Sequence, residues 1–225
     1  MIKIRKTGTF ALAGLLGATL LTGGAFAYFT DADSAVNTFT VGSVKIDLQE
    51  PGFNEDEGIN ITPGKTVEKD PQILNTGNND AFVYMQIGIP TANVVTADES
   101  GAKKAAASAE LFSFTLNNGW TQVGDRETDG ALNVYTYAYT GGSAASLERL
   151  AAGDLSEALF DSVTFANIVE DQGLENVNKD ITVTAYAIQA DDLSADTPDA
   201  VWQIIKNQTP ASDDRTGEDE STDIA

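Results

Sequence analysis

The chain has 225 residues, with 34 acidic against 13 basic side chains, a net charge of −21, and neither histidine nor cysteine. Without cysteine there are no disulfides and no lipid-modified cysteine, and without histidine there is no Ser-His-Asp, Cys-His or H-E-x-x-H chemistry. A surface this acidic repels nucleic acid and anionic membranes, so neither is an expected partner.

The N-terminus is basic at Lys3, Arg5 and Lys6, apolar from Phe10 to Leu21, and closes on small residues with Ala25 and Ala27 on either side of Phe26. That order is the pattern of a signal peptide. The apolar run is broken by Gly14 and Gly17 and falls short of the roughly 20 residues that a membrane span needs. Cleavage is therefore expected after Ala27, which makes residues 1–27 a signal peptide and Tyr28 the first residue of a secreted protein. Loss of the three cations takes the charge from −21 to −24, on a chain long enough for one sizeable β domain.

From Phe39 onward the pattern is strand-like, with Val44, Ile46 and Leu48 alternating with Lys45, Asp47 and Gln49 until Pro51 and Gly52 stop it. Asn54 to Gly58 reads as a polar acidic loop, and Pro63-Gly64 as a turn leading into a short strand at Thr66 to Glu68. A further strand is predicted at Gln72 to Leu74, followed by a strong turn cluster from Asn75 to Asp80. Ala81 to Ile89 is the clearest strand. Val83, Met85, Ile87 and Ile89 share one face and Phe82 and Tyr84 the other, which places it centrally in a sheet.

Gly101 to Leu111, rich in alanine and lysine, has high helix propensity but a weak apolar face, and reads as a short exposed helix or a variable insertion. Strands follow at Phe112 to Leu116, Trp120 to Val123 and Asn133 to Thr140. Ser146 to Phe165 carries mixed signals: its leucines suit a helix, whereas Gly153 and the aromatic spacing suit a turn between strands. Ile181 to Gln189 is another strand. Thr197 as N-cap with Pro198 at the first helical position predicts a helix over Asp199 to Asn207. From Thr209 to Ala225 the acids outnumber a single Arg215, and disorder is expected. Many short strands and two helical pieces predict a mainly β fold, a jelly-roll-like β-sandwich over 41–208, preceded by a mature N-terminal segment at 28–40.

The run from Gly24 to Asp31 (G-A-F-A-Y-F-T-D), with Asn37 to Leu48 (N-T-F-T-V-G-S-V-K-I-D-L), resembles the start of the TasA/camelysin family of secreted bacterial matrix proteins. Pro63-Gly64 with Lys69, the Asn75 to Gly77 turn and the strand from Ala81 to Met85 resemble the family's next block. Leu159 to Val163 and Ile181 to Ala190 resemble its closing strands. The likeness covers residues 1 to about 90 and about 147 to 205. It implies cleavage by a dedicated signal peptidase of the SipW type just before Tyr28, a jelly-roll domain, and polymerisation into extracellular fibres of a biofilm matrix. It further implies a donor-strand arrangement, in which the mature N-terminal segment completes the sheet of the next subunit. The candidate assembly residues are then Tyr28, Phe29 and Val36.

Camelysin is described as a metallopeptidase, but a catalytic zinc normally takes an imidazole or thiolate, and this chain has neither. Carboxylate pairs such as Asp31/Asp33 or Asp191/Asp192 are expected by chance in so acidic a chain. Oxygen donors for calcium occur at Asp31 and Asp33, at Asn54 to Gly58 and at Asn78 to Asp80, yet none fits the calcium-loop pattern, and counterion attraction is the simpler expectation. No catalytic, cofactor-binding or metal residues are therefore assigned. The reading is a secreted structural subunit in the extracellular matrix or at the cell surface. Its partners are other copies of itself, the signal peptidase during export, and accessory matrix proteins. The alternatives are a secreted camelysin-type metallopeptidase and a monomeric cell-surface binding module.

Overall fold

The computed structural model describes residues 43–59, 61–98, 100–174 and 177–208. All of them lie in the second of the two units, Met1–Thr40 and Val41–Ala225, into which the chain divides. The described part is a mainly β sandwich, as the sequence predicts.

The ten strands are β1 (Ile46–Gln49), β2 (Thr66–Glu68), β3 (Gln72–Asn75), β4 (Ala81–Val94), β5 (Ala107–Glu110), β6 (Phe112–Phe114), β7 (Trp120–Asp129), β8 (Leu132–Tyr139), β9 (Ser162–Phe165) and β10 (Thr182–Gln189). One helix follows, α1 (Pro198–Gln208). The main sheet runs β10-β4-β8-β7, with β5 pairing the far end of β4; opposite it stand the ribbon β1-β3 and the three-stranded β2-β9-β6. All named pairings are antiparallel. The chain crosses repeatedly from one layer to the other, which is the jelly-roll habit.

Strand β4 organises the molecule because both its faces are buried. Val83, Met85, Ile87 and Ile89 point into the inter-layer core, where they meet Val67, Ile73, Phe112, Phe160 and Val163 from the opposite layer. Phe82 and Tyr84 point to the other face and meet Val201, Trp202 and Ile205 of α1. The period-two alternation seen in the sequence is thus realised on both sides. Pro90 is tolerated within this strand because it sits just past the last β10 pair, Thr182 with Gly88. Helix α1 begins where its cap predicts, with the Val201 N–H donating to the Thr197 carbonyl at 3.1 Å. Asp199 in its first turn and Lys206 in its last complement the helix dipole.

The turn after β3 is built by a buried polar side chain. Asn75 donates from Nδ2 to the carbonyls of Asn79 and Leu150, both at 2.9 Å, and accepts the Gly77 N–H at 3.0 Å. Gly77 is required here, since a Cβ would lie 2.5 Å from the Ser43 carbonyl oxygen and 2.9 Å from the Lys45 nitrogen.

One expectation needs correction, and two are made more specific. Gly101 to Leu111 is not a helix: Ala107–Glu110 forms β5, paired with Thr91 to Val94, and Lys103 bridges Ala97. Open hydrogen-bonding positions on the extension of β4 outweigh the local propensity of its alanines. The acidic loop Asn54 to Gly58 contains a 3₁₀ turn over Glu55–Gly58, capped by Asn54 Oδ1 accepting the Asp56 N–H. The ambiguous stretch 146–165 resolves as the turn reading, with Gly153 at φ +87° and strand β9 at its end. The fold therefore holds one short α-helix among the described residues, not two.

The packing makes a pH prediction. Burial pushes the phenols of Tyr84 and Tyr137 well above the ordinary range, and the nearby charge of Asp199 adds to this at Tyr84. Tyr135, Tyr139 and Tyr186 shift the same way, burial again being the main cause. The folded protein therefore keeps protons that the unfolded chain releases above about pH 10. Stability from these groups is fully present below that pH and falls as pH rises through and beyond it. Denaturant midpoints are expected to drop between about pH 9 and about pH 11, with a shallower drop in Tyr84→Phe. A flat profile over that range would contradict the burial of these phenols.

Candidate assembly edge

The signal-cleavage residues Ala25, Ala27 and Tyr28, and the assembly residues Phe29 and Val36, lie outside the described residues, as do Asp31 and Asp33. The other oxygen clusters are engaged by the protein itself. Asn78 Oδ1 accepts the Ser43 N–H at 2.6 Å, and the Asn79 carbonyl accepts from Asn75. Arg149 sits between Asp191 at 2.6 Å and Asp80 at 3.8 Å. Asp192 occupies a left-handed turn position at φ +58°. Among the described residues no group of three or more carboxylates is arranged to hold a metal ion.

What the fold presents instead is sheet edges, and they differ sharply in how they are guarded. In the second layer β2 and β6 are only three residues long. In the main sheet β7 forms one edge. It is interrupted by a register shift between Val123 and Glu127, with Gly124 at φ +66°. Asp125, Arg126, Glu127 and Asp129 are exposed beyond it. A bulge and a run of charge are the usual means by which a sheet edge avoids pairing with another chain.

The opposite edge, β10, has none of these devices. Its eight residues run in unbroken register against β4, with no charge, proline or glycine from Thr182 to Gln189. Among the described residues its other side has no strand hydrogen-bonded to it; β1 runs near it without pairing. Val44, Ile46 and Leu48 on one side and Val183, Ala185 and Ala187 on the other border the core only half-buried. An added strand with apolar residues at alternate positions would gain main-chain bonds from β10 and cover these side chains at once.

A family model described as camelysin metallo-endopeptidase matches residues 2–117, just over half of the chain. The chain belongs to the camelysin family. This agrees with the TasA/camelysin resemblance in the sequence. Strands β7 to β10 and α1 lie beyond the matched span. No curated protein and no solved structure matches the chain. The camelysin description implies a catalytic metal, and the residues present do not fit a zinc of the usual kind: the chain supplies no imidazole and no thiolate. Sequence reasoning marked Ile181 to Gln189 as a strand but not as an edge. No local signal separates it from an interior strand, since β4 and β8 are as free of charge as β10.

Proposed function

We propose that this camelysin-family protein is a secreted structural subunit that builds extracellular fibres, the segment 28–40 of one copy adding as a strand to β10 of the next. The observation that carries this reading is the contrast between the two edges of the main sheet, β7 guarded by bulge and charge and β10 unguarded beside half-buried apolar residues. Head-to-tail addition of this kind does not close on itself, so the product is a filament. Tyr28 and Phe29 supply apolar contact worth about 1.5–3 kcal/mol each when fully buried.

The test is incubation of purified protein beginning at Tyr28, followed by negative-stain microscopy. Filaments are expected, growing faster when salt or acid weakens repulsion among the carboxylates. Clean monomer at high concentration under all these conditions would favour the monomeric binding-module reading instead.

The family description keeps a peptidase reading in play, and the donor set weighs against it. Purified protein is expected not to hydrolyse casein with added zinc. Chelator-sensitive hydrolysis that co-purifies with the protein through successive columns would restore the enzyme reading.

A further inference from the structure

Where the inner face of the main sheet leaves the core, apolar side chains give way to polar ones. Along β8 the residues facing this side are Tyr139, Tyr137, Tyr135 and Asn133, and along β4 they are Ile87, Ile89 and Thr91. Strand β5 folds over this end and β7 flanks it, leaving an open cleft of about 590 Å³ whose walls include Ser108, Glu110, Arg126, Thr128, Asn133 and Tyr135. None of its lining residues comes from β10.

The cleft is organised around one carboxylate. Glu110 Oε1 accepts from Asn133 Nδ2 at 2.7 Å and from the Tyr135 hydroxyl at 2.5 Å, so the group is held in one place by two donors. Asn133 is itself buried. Arg126, from β7, lines the same recess as Tyr135, and its positive charge acts on the Tyr135 hydroxyl. Burial, and next the bond to Glu110, raises the Tyr135 phenol, which keeps it a proton donor across the ordinary pH range. One fixed acceptor, one guanidinium, an amide and several hydroxyls thus converge on a polar recess.

This inventory selects a ligand class. An apolar ligand has nothing to cover here, since the recess is predominantly polar. A polyanion is repelled by a chain of net charge −21. The carboxylate and the guanidinium balance each other, which disfavours a ligand with strong net charge of either sign. A sugar ring offers hydroxyls that both donate and accept, and it needs fixed acceptors and fixed donors side by side. We propose that this cleft binds a neutral, hydroxyl-rich saccharide chain, with the Glu110 carboxylate accepting from sugar hydroxyls and Arg126 donating to them.

The proposal is independent of filament growth and is tested on soluble protein by affinity electrophoresis in gels containing dextran, galactan, mannan or, as the polyanion control, polygalacturonate. Retardation by at least one neutral polysaccharide is expected. Glu110→Gln, which keeps the side chain's shape, is expected to weaken it about tenfold or more, the effect of one lost charge-assisted hydrogen bond. Ser108→Trp, at an exposed position on the cleft wall, is expected to abolish it without touching the core. Unchanged mobility in every neutral gel, retardation by polygalacturonate alone, or equal retardation of wild type and both variants would each overturn the proposal.

Discussion

Deleting Tyr28 to Val36 is expected to leave a folded protein that no longer forms filaments. The packing seen between the two layers, from Val67, Ile73, Phe112, Phe160 and Val163 against β4, is made among the described residues themselves, so the sandwich is expected to hold without this segment. What is lost, on the proposed mechanism, is the strand that each copy gives to its neighbour. Phe29→Asp is expected to slow growth strongly, because on the proposed mechanism a carboxylate would replace an aromatic ring beside the half-buried Val44, Ile46, Val183 and Ala185 and would have to be desolvated there. From the acceptor side, Thr184→Lys places on β10 the kind of charge that guards natural edges, at an exposed position. Light scattering and microscopy read all three variants, with thermal melts as the folding control. Filament growth at the wild-type rate in the deletion would mean that another face carries assembly.

The largest stability effect is expected at Phe160. The ring is fully buried between the layers and stacks on Phe114 with centroids 4.2 Å apart at an interplanar angle of 28°. Its neighbour Leu159 ties the segment on two sides, donating its N–H to the Pro71 carbonyl and accepting from the Asn117 N–H, each at 2.9 Å. The backbone is therefore poorly placed to collapse into a void. Phe160→Ala is expected to cost about 3–5 kcal/mol, transfer and cavity contributions together. Denaturant titration measures this directly. A cost below about 1 kcal/mol would mean that the site relaxes around the missing ring.

The same two layers show what the sequence makes legible and what it hides. The faces of β4 are readable because alternation of Val83, Met85, Ile87 and Ile89 with Phe82 and Tyr84 is a local pattern, and the start of α1 is readable because Thr197 and Pro198 act within one turn. The extension of β4 past Pro90 is not readable locally, because it depends on β5 arriving to pair with it. The helix expected over Gly101 to Leu111 fails for the same reason: alanine-rich propensity is a weak local preference, and pairing across the sheet is decided by distant residues. Likewise Trp120 to Val123 reads as a short strand, whereas the structure carries β7 through a bulge to Asp129. The candidate edge lies wholly in this second category. Ile181 to Gln189 announces a strand, but only the strand order β10-β4-β8-β7 puts it at the margin. The cleft around Glu110 is assembled from β4, β5, β7 and β8 and carries no motif in any one of them.

Hydrogen exchange at the amides of Thr182 to Gln189, compared between soluble protein and mature filaments, reads strand addition at β10 directly. Every second amide along β10 is expected to exchange quickly in the monomer, where that side of the strand has no partner among the described residues. In filaments those same amides are expected to become protected, while the amides of the exposed residues Asp125 to Glu127 on β7 exchange as before. Filaments in which β10 exchanges as fast as in the monomer would contradict strand addition at this edge.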